Sequence, residues 1–307
     1  MHPEPDRRPS SWSRSSIMLP MLIMLIMLLG SLAPSRAWAH HVAGHGSSEG
    51  VRSINSLGSR GGSASTRLML LNEFTHSSRG LVPGQRNDLT LLGEYAPIPS
   101  FSFGVQLPFT IIAEQPVDAP DHMQAGYGDT RAFIRITPFA DKLIHRTLTV
   151  VVSASFPTRT VRSTVDPGRI WSVAPSLIYT RTYAKLYWQL LGFGAIESRP
   201  AGVALDLSAG GQIGGRMLDG KLAAGAGALI DVRAFNACRS VAGDLAYCPG
   251  NRAGEREREV GSTRATALAT FAWNIDPRWS LNLALQVPFT PHRDFDVGAS
   301  VGVSVVF

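Results

Sequence analysis

Cysteine is nearly absent from this chain, charge is sparse, and no stretch beyond the N-terminal leader is continuously apolar for long. Each shortage excludes something. Two cysteines, Cys238 and Cys248, cannot make a disulfide framework, and a metal centre needs more ligands than that pair supplies. Charged residues are 17% of the sequence, and the basic ones are scattered rather than gathered in a stripe with aromatics between them. Nucleic acid is therefore not an expected partner. The longest apolar run after the leader falls short of the ~18 residues that a spanning helix needs, so a membrane form of this chain must cross with strands. No cofactor motif stands out either. Ala224-Gly-Ala-Gly227 lacks the Lys and the strand–loop–helix setting of a phosphate loop, and no cofactor is expected.

Glycine, in contrast, is abundant, with 30 in 307 residues, and hydrophobic residues make up 44%. That balance suits one large all-β unit. The N-terminus reads as a targeting segment. Arg7, Arg8 and Arg14 form a basic region, Ile17 to Leu29 an apolar core interrupted by Pro20, and Ala37-Trp38-Ala39 a small-x-small cleavage site. The expected organisation is a signal peptide at 1–39, a flexible His/Gly/Ser-rich segment at 40–65, and one barrel at 66–307. The leader carries Arg7, Arg8, Arg14 and Arg36 against Glu4 and Asp6, so the formal charge of +6 falls by two, to +4, on its removal.

From Thr66 onward, segments with period-2 alternation recur. The predicted strands are 66–74, 88–96, 101–110, 128–139, 146–157, 170–180, 183–195, 203–214, 221–233, 260–274, 279–289 and 296–307. Each is roughly as long as a tilted membrane strand of ~9–11 residues. Phe101, Phe103, Val105, Leu107 and Phe109 share one face against Ser102, Gly104 and Gln106. Leu281, Leu283, Leu285, Val287 and Phe289 do the same against Ser280, Asn282, Ala284 and Gln286. Pro175 weakens the segment at 170–180. Every second connection is short: 97–100, 140–145, 181–182, 215–220 and 275–278. The others, 75–87, 111–127, 158–169, 196–202, 234–259 and 290–295, are generally longer. Long loops on one rim and short turns on the other is the plan of a closed, antiparallel up-and-down transmembrane β-barrel of about twelve strands. An even strand count puts both termini on the short-turn side, expected to be periplasmic.

The final segment alternates to the end, with Val297, Ala299, Val301, Val303, Val305 and Phe307 on one face and Gly298, Ser300, Gly302 and Ser304 on the other. It resembles the closing strand of bacterial outer-membrane β-barrels, which implies membrane lipid and the barrel-assembly machinery as partners, the latter through the strand ending at Phe307. Gly126-Tyr-Gly128-Asp129-Thr-Arg131 is similar to a Gly-x-Gly-Asp signature of outer-membrane barrels described as transporter-like, or as the MetA-pathway of phenol degradation. Gln106-Leu-Pro-Phe109 and the strand plan resemble that group as well. The resemblance implies an outer-membrane channel or transporter for small solutes, hydrophobic or aromatic ones among them, and carries no catalytic residues.

If apolar positions face lipid, parity places Asp88, Glu94, Gln106, Arg131, Arg135, Lys185, Gln189, Asp206, Gln212, Asp231, Arg233, Asn282 and Gln286 in the lumen. Two readings stand side by side: the charges pair and plug the barrel, or they form a constriction that selects solutes. In an oxidising compartment Cys238 and Cys248 read as a local disulfide stapling the 234–259 loop; the alternative is two free thiols. His40, His41 and His45 form a weak metal-binding candidate, and His76, His122 and His292 fall in predicted external loops. Gly298-Ala-Ser300-Val-Gly302 matches a nucleophile pattern but sits inside the last strand with no His after it, so no enzyme is expected. The alternatives to a channel are a lipid-modifying outer-membrane enzyme, and a structural or adhesive barrel displaying the 234–259 loop.

Overall fold

The computed structural model describes residues 64–77, 84–114, 122–141, 146–161, 171–183, 185–199, 202–238, 261, 263–290 and 295–307. The strands are β1 (Arg67–Ser77), β2 (Gly84–Ile98), β3 (Phe101–Glu114), β4 (His122–Tyr127), β5 (Arg131–Asp141), β6 (Arg146–Ser155) and β7 (Trp171–Tyr183), then β8 (Leu186–Arg199), β9 (Gly202–Met217), β10 (Leu222–Cys238), β11 (Thr263–Asn274), β12 (Trp279–Pro288) and β13 (Val297–Val306). All pair antiparallel with their neighbours. β4 and β5 lie end to end along one edge of β3, which leaves twelve positions in the wall for thirteen segments. The wall closes where β13 meets β1, in unbroken register from Arg67↔Val306 to His76↔Val297. Beyond it the Phe307 amide donates to the Thr66 carbonyl at 3.0 Å. Closure pairs the edges of β1 and β13; among the described residues β4 pairs with β3 alone.

The two faces are inverted relative to a water-soluble domain. Buried side chains are predominantly polar or charged, while Leu68, Leu91, Phe103, Val105, Leu107, Leu177, Leu190, Leu207, Leu285 and Val287 stand exposed on the outside. Water would penalise that outer surface; hydrocarbon would not. Aromatic contacts sit near both ends of the exposed apolar band. Tyr95 and Phe103 pack edge to face at 5.7 Å on the rim where β1 begins and β13 ends, the two termini of the barrel wall. Phe109–Tyr127 and Phe156–Trp171 do so at 6.1 and 5.5 Å on the opposite rim. Such girdles mark the two interfaces of a membrane barrel.

Strands extend further on the rim opposite the termini than alternation predicts. The expected loop at 111–127 is largely a hairpin, because β3 continues to Glu114 and pairs with β4 from Phe109↔Tyr127 to Glu114↔His122. His122 therefore begins a strand and His76 lies near the end of β1, rather than in loops. Backbone pairing does not require an apolar outer face, so it outruns the alternation that made the strands visible. The β8–β9 connection, at 200–201, is as short as the turns of the other rim. Pro175 is accommodated within β7, where the register with β8 passes from Val173↔Ile196 directly to Ser176↔Phe193 and skips the proline. A residue without an N–H costs least where no ladder bond is demanded of it.

One turn is sequence-incompatible in a way that can be measured. Between β9 and β10, Leu218 and Asp219 both have positive φ, 50° and 55°, and the Gly220 amide donates to the Met217 carbonyl at 3.1 Å. A leucine in the left-handed region costs about 1–2 kcal/mol. Leu218→Asn, which tolerates that conformation, is expected to raise stability by up to about 1 kcal/mol. Urea unfolding of the folded barrel reads the change; an unchanged or lower midpoint would contradict it.

Candidate functional site

The inward faces of adjacent strands put chemically matched residues directly opposite one another. Arg67 on β1 faces Glu94 on β2, and its Nε donates to Glu94 Oε2 at 2.7 Å. Thr110 faces Asp88 and donates its hydroxyl to it, while Arg86 Nε donates to the other oxygen at 2.6 Å. Asp206 faces Arg233, with Nε 2.8 Å from the carboxylate. Ser208 faces and donates to Asp231, and Ser280 and Ser304 share a hydrogen bond at 2.7 Å. In low dielectric a partner of this kind is what makes a buried charge tolerable.

Glu94 has a second cation from a strand that is not its neighbour. Arg135 on β5 lies 3.0 Å from Glu94 Oε1 across the intervening β3. The crossing is possible because β3 presents small residues there: Gly104 opposite Glu94 and Ser102 opposite Arg135. Ser102 also donates its hydroxyl to the carboxylate at 2.5 Å. A Cβ added at Gly104 would come within 2.5 Å of the Phe133 ring, so this glycine provides the seat for that ring. A second network follows the same logic. Gln212 donates to Gln189, Gln189 to Thr180 at 3.1 Å, and Thr270 donates to Gln212 at 3.2 Å over β10. A Cβ at Gly227 would fall 2.7 Å from Gln212 Cβ, so glycine clears the way.

Two apolar clusters interrupt this polar lining. Met69, Leu71, Leu92, Phe133 and Val151 form one, from β1, β2, β5 and β6. Ala174, Ile178, Phe193, Ala195, Leu229, Leu268 and Ala284 form the other, from β7, β8, β10, β11 and β12. A small cavity of about 60 Å³ lies toward the rim opposite the termini, lined among others by Glu73, Asp88, Asp231, Arg264 and Gln286.

The Gly-x-Gly-Asp segment has a structural role of its own. Residues 128–130 hold one residue more than the facing stretch of β3, so inward positions are even-numbered on β4 and odd-numbered on β5. The segment after β6 packs against this break. Thr158 Oγ1 donates to the Gly128 carbonyl at 3.3 Å, the Arg159 amide donates to Asp129 at 3.1 Å, and the Thr160 amide donates to the Tyr127 carbonyl at 2.9 Å. A Cβ on Gly126 would meet Thr160 Oγ1 at 2.4 Å and Val161 at 3.0 Å. Glycine at 126 thus lets residues 158–161 lie over the inward face of β4.

Asp88, Glu94, Arg135, Gln189, Asp206, Gln212, Asp231, Arg233 and Asn282 are buried on the inward face. Gln106, Arg131 and Gln286 share that face and are partly exposed. Lys185 is a correction: it sits exposed in the β7–β8 turn, because the strand begins only at Leu186. Parity counting does not know where a strand ends. Charge and parity do not single out Arg67, Arg86 or the inward-facing apolar residues as lumen groups, although Leu92 shares the parity of Asp88 and Glu94, and Phe133 that of Arg131 and Arg135. The Ser300 motif is strand throughout, paired with both β12 and β1. Among the described residues no group of three His, Cys, Asp or Glu is placed to hold a metal ion. His40, His41, His45, His292 and Cys248 lie outside the described residues, as does most of the 234–259 loop, and nothing is described of the Cys238 side chain.

The barrel fold has a counterpart among solved structures. The chain is similar in fold to the COG4313 outer membrane channel from Pseudomonas putida F1. The TM-score is 0.55 at 15% identity, over 80% of this chain and 96% of that one. The β domain of the Bordetella autotransporter BrkA aligns with a TM-score of 0.49 at 12% identity, over 80% of this chain and all (100%) of that one. The KdgM porin aligns at 0.43 and 10%, over 78% and 99%. No family model and no curated protein matches the sequence. What the comparison with the COG4313 channel shows is the barrel architecture.

Proposed function

We propose that this protein is an outer-membrane channel that passes small solutes carrying an apolar part. The observation that carries the reading is the lumen itself. Its buried carboxylates Glu94, Asp88, Asp206 and Asp231 each have a partner donor, so the lining is a stable polar wall. Set into that wall are the apolar clusters around Phe133 and Phe193, which give a non-polar body somewhere to lie. A twelve-strand wall is narrower than the ~16–18 strands that leave an open aqueous pore, which favours a restricted path over a general one. The likeness of Gly126–Asp129 to the signature of transporter-like barrels supports the same class of solute. With the long connections outside and the short turns inside, both termini face the periplasm.

The full chain is expected in the outer-membrane fraction, in a form that shifts on gels with heating. In planar bilayers it is expected to give small, discrete ion conductances. A mainly soluble periplasmic pool would overturn the membrane placement, and a folded but silent barrel would overturn the channel.

A further inference from the structure

Several arginines on the inward faces have an acid beside them. Arg67 and Arg135 share Glu94, Arg86 has Asp88, and Arg233 has Asp206. Arg131 differs. It is inward-facing on β5, with Gln106 of β3 directly opposite on one side and Ser155 of β6 directly opposite on the other. Its Nε is covered and has no hydrogen-bond partner among the described residues. The Ser155 hydroxyl, in a side chain only 3% exposed, likewise has none. The carboxylates nearby are engaged elsewhere: Glu94 by two guanidiniums, Asp88 by Arg86 and Thr110, and Asp129 by Arg159. Two cations on one carboxylate at Glu94 leave that sector with positive charge in excess.

An uncompensated guanidinium beside a buried, unused hydroxyl and a primary amide is a donor set without its acceptor. Guanidinium and hydroxyl donors together match the two oxygens of a carboxylate. Immediately along the wall is an apolar cluster of buried side chains. Leu92 lies opposite Gln106, and Phe133 is two residues from Arg131 on the same face; both belong to the cluster with Met69, Leu71 and Val151. Resting on the channel reading above, we propose that Arg131, Ser155 and Gln106 form a carboxylate-binding station in the lumen, selecting small monoanions whose apolar body lies on Leu92 and Phe133. Arg135 is not part of it, since its charge is spent on Glu94.

Equilibrium dialysis of the purified full chain with labelled benzoate and hexanoate tests this, beside the neutral isosteres benzamide and hexanamide. Both acids are expected to bind, and the amides at least about tenfold more weakly. Arg131→Gln is expected to weaken acid binding at least about tenfold and to leave amide binding unchanged, whereas Arg181→Gln, at the exposed end of β7, changes neither. Should Arg131→Gln lose the heat-modifiable folded form, Arg131→Lys decides. It keeps the charge but not the planar fork, and a several-fold loss is expected. Equal affinity for acid and amide, or acid binding unaffected by both variants, overturns the station. Ion conductance measured on the same preparation separates the two proposals. A conducting barrel that binds neither acid overturns the station alone. A silent barrel that binds benzoate through Arg131 upholds the station and overturns the channel.

Discussion

Replacing Glu94 by Ala is expected to cost about 3–5 kcal/mol of barrel stability, the largest effect of any single lumen substitution. The carboxylate is 3% exposed and sits between two guanidiniums, Arg67 Nε at 2.7 Å and Arg135 Nε at 3.0 Å, with the Ser102 hydroxyl donating to it. Truncation removes one negative charge and leaves two positive ones facing each other, Arg135 buried and Arg67 partly so. The loss therefore combines the missing attraction, the repulsion between the arginines and their unreturned desolvation. Glu94→Gln keeps the shape and one acceptor oxygen, and is expected to cost roughly half as much. Urea unfolding in lipid vesicles, followed by tryptophan fluorescence, measures both. A loss below about 1 kcal/mol for Glu94→Ala would mean that lumen water already screens the site and that the ion cluster does not hold β1, β2 and β5 together.

Phe133→Ala is expected to produce the largest change in conduction. Phe133 is 5% exposed, and its ring occupies the space left by Gly104 on the neighbouring strand. It shares a cluster with Met69, Leu71, Leu92 and Val151, an apolar patch in an otherwise polar lining. Apolar constrictions oppose ion passage because water leaves them readily. Shortening the ring to a methyl group widens the patch and lets water in, so single-channel conductance should rise several-fold. Affinity for solutes with an apolar body should fall at the same time, since the surface they rest on has gone. An unchanged conductance would place the narrowest part of the path elsewhere and remove this cluster from it.

Much of the architecture was readable in residue order because a strand's side chains have a strict period of two. Phe101 to Phe109, Leu281 to Phe289 and Val297 to Phe307 each declare which face is which, and the spacing of the connections gives the number of strands and the rim of each loop. The same rule placed Asp88, Glu94, Arg135, Asp206, Asp231 and Arg233 inside. It failed at Lys185 because a turn, not a strand, holds that residue, and turn boundaries are set by pairing with a partner strand. It also missed β4, where pairing runs on past the outer band of alternating apolar residues.

Parity assigns a face to one residue at a time, and the sequence by itself determined that much: an all-β chain, its alternation, its closing strand and the face of residues well inside strands. Which of those groups meet was decided only by the tertiary structure. Arg67 reaches Glu94 because β1 and β2 adopt one register among several that would keep the same faces inward. Arg135 reaches the same carboxylate only because β3 contributes Gly104 and Ser102 at the crossing. Arg131 has the same parity as Arg135 and lies four residues away, yet has no acid beside it among the described residues. Pairing energy falls off within a few ångströms, so the distinction between a spent charge and an available one depends on register and side-chain volume across three strands.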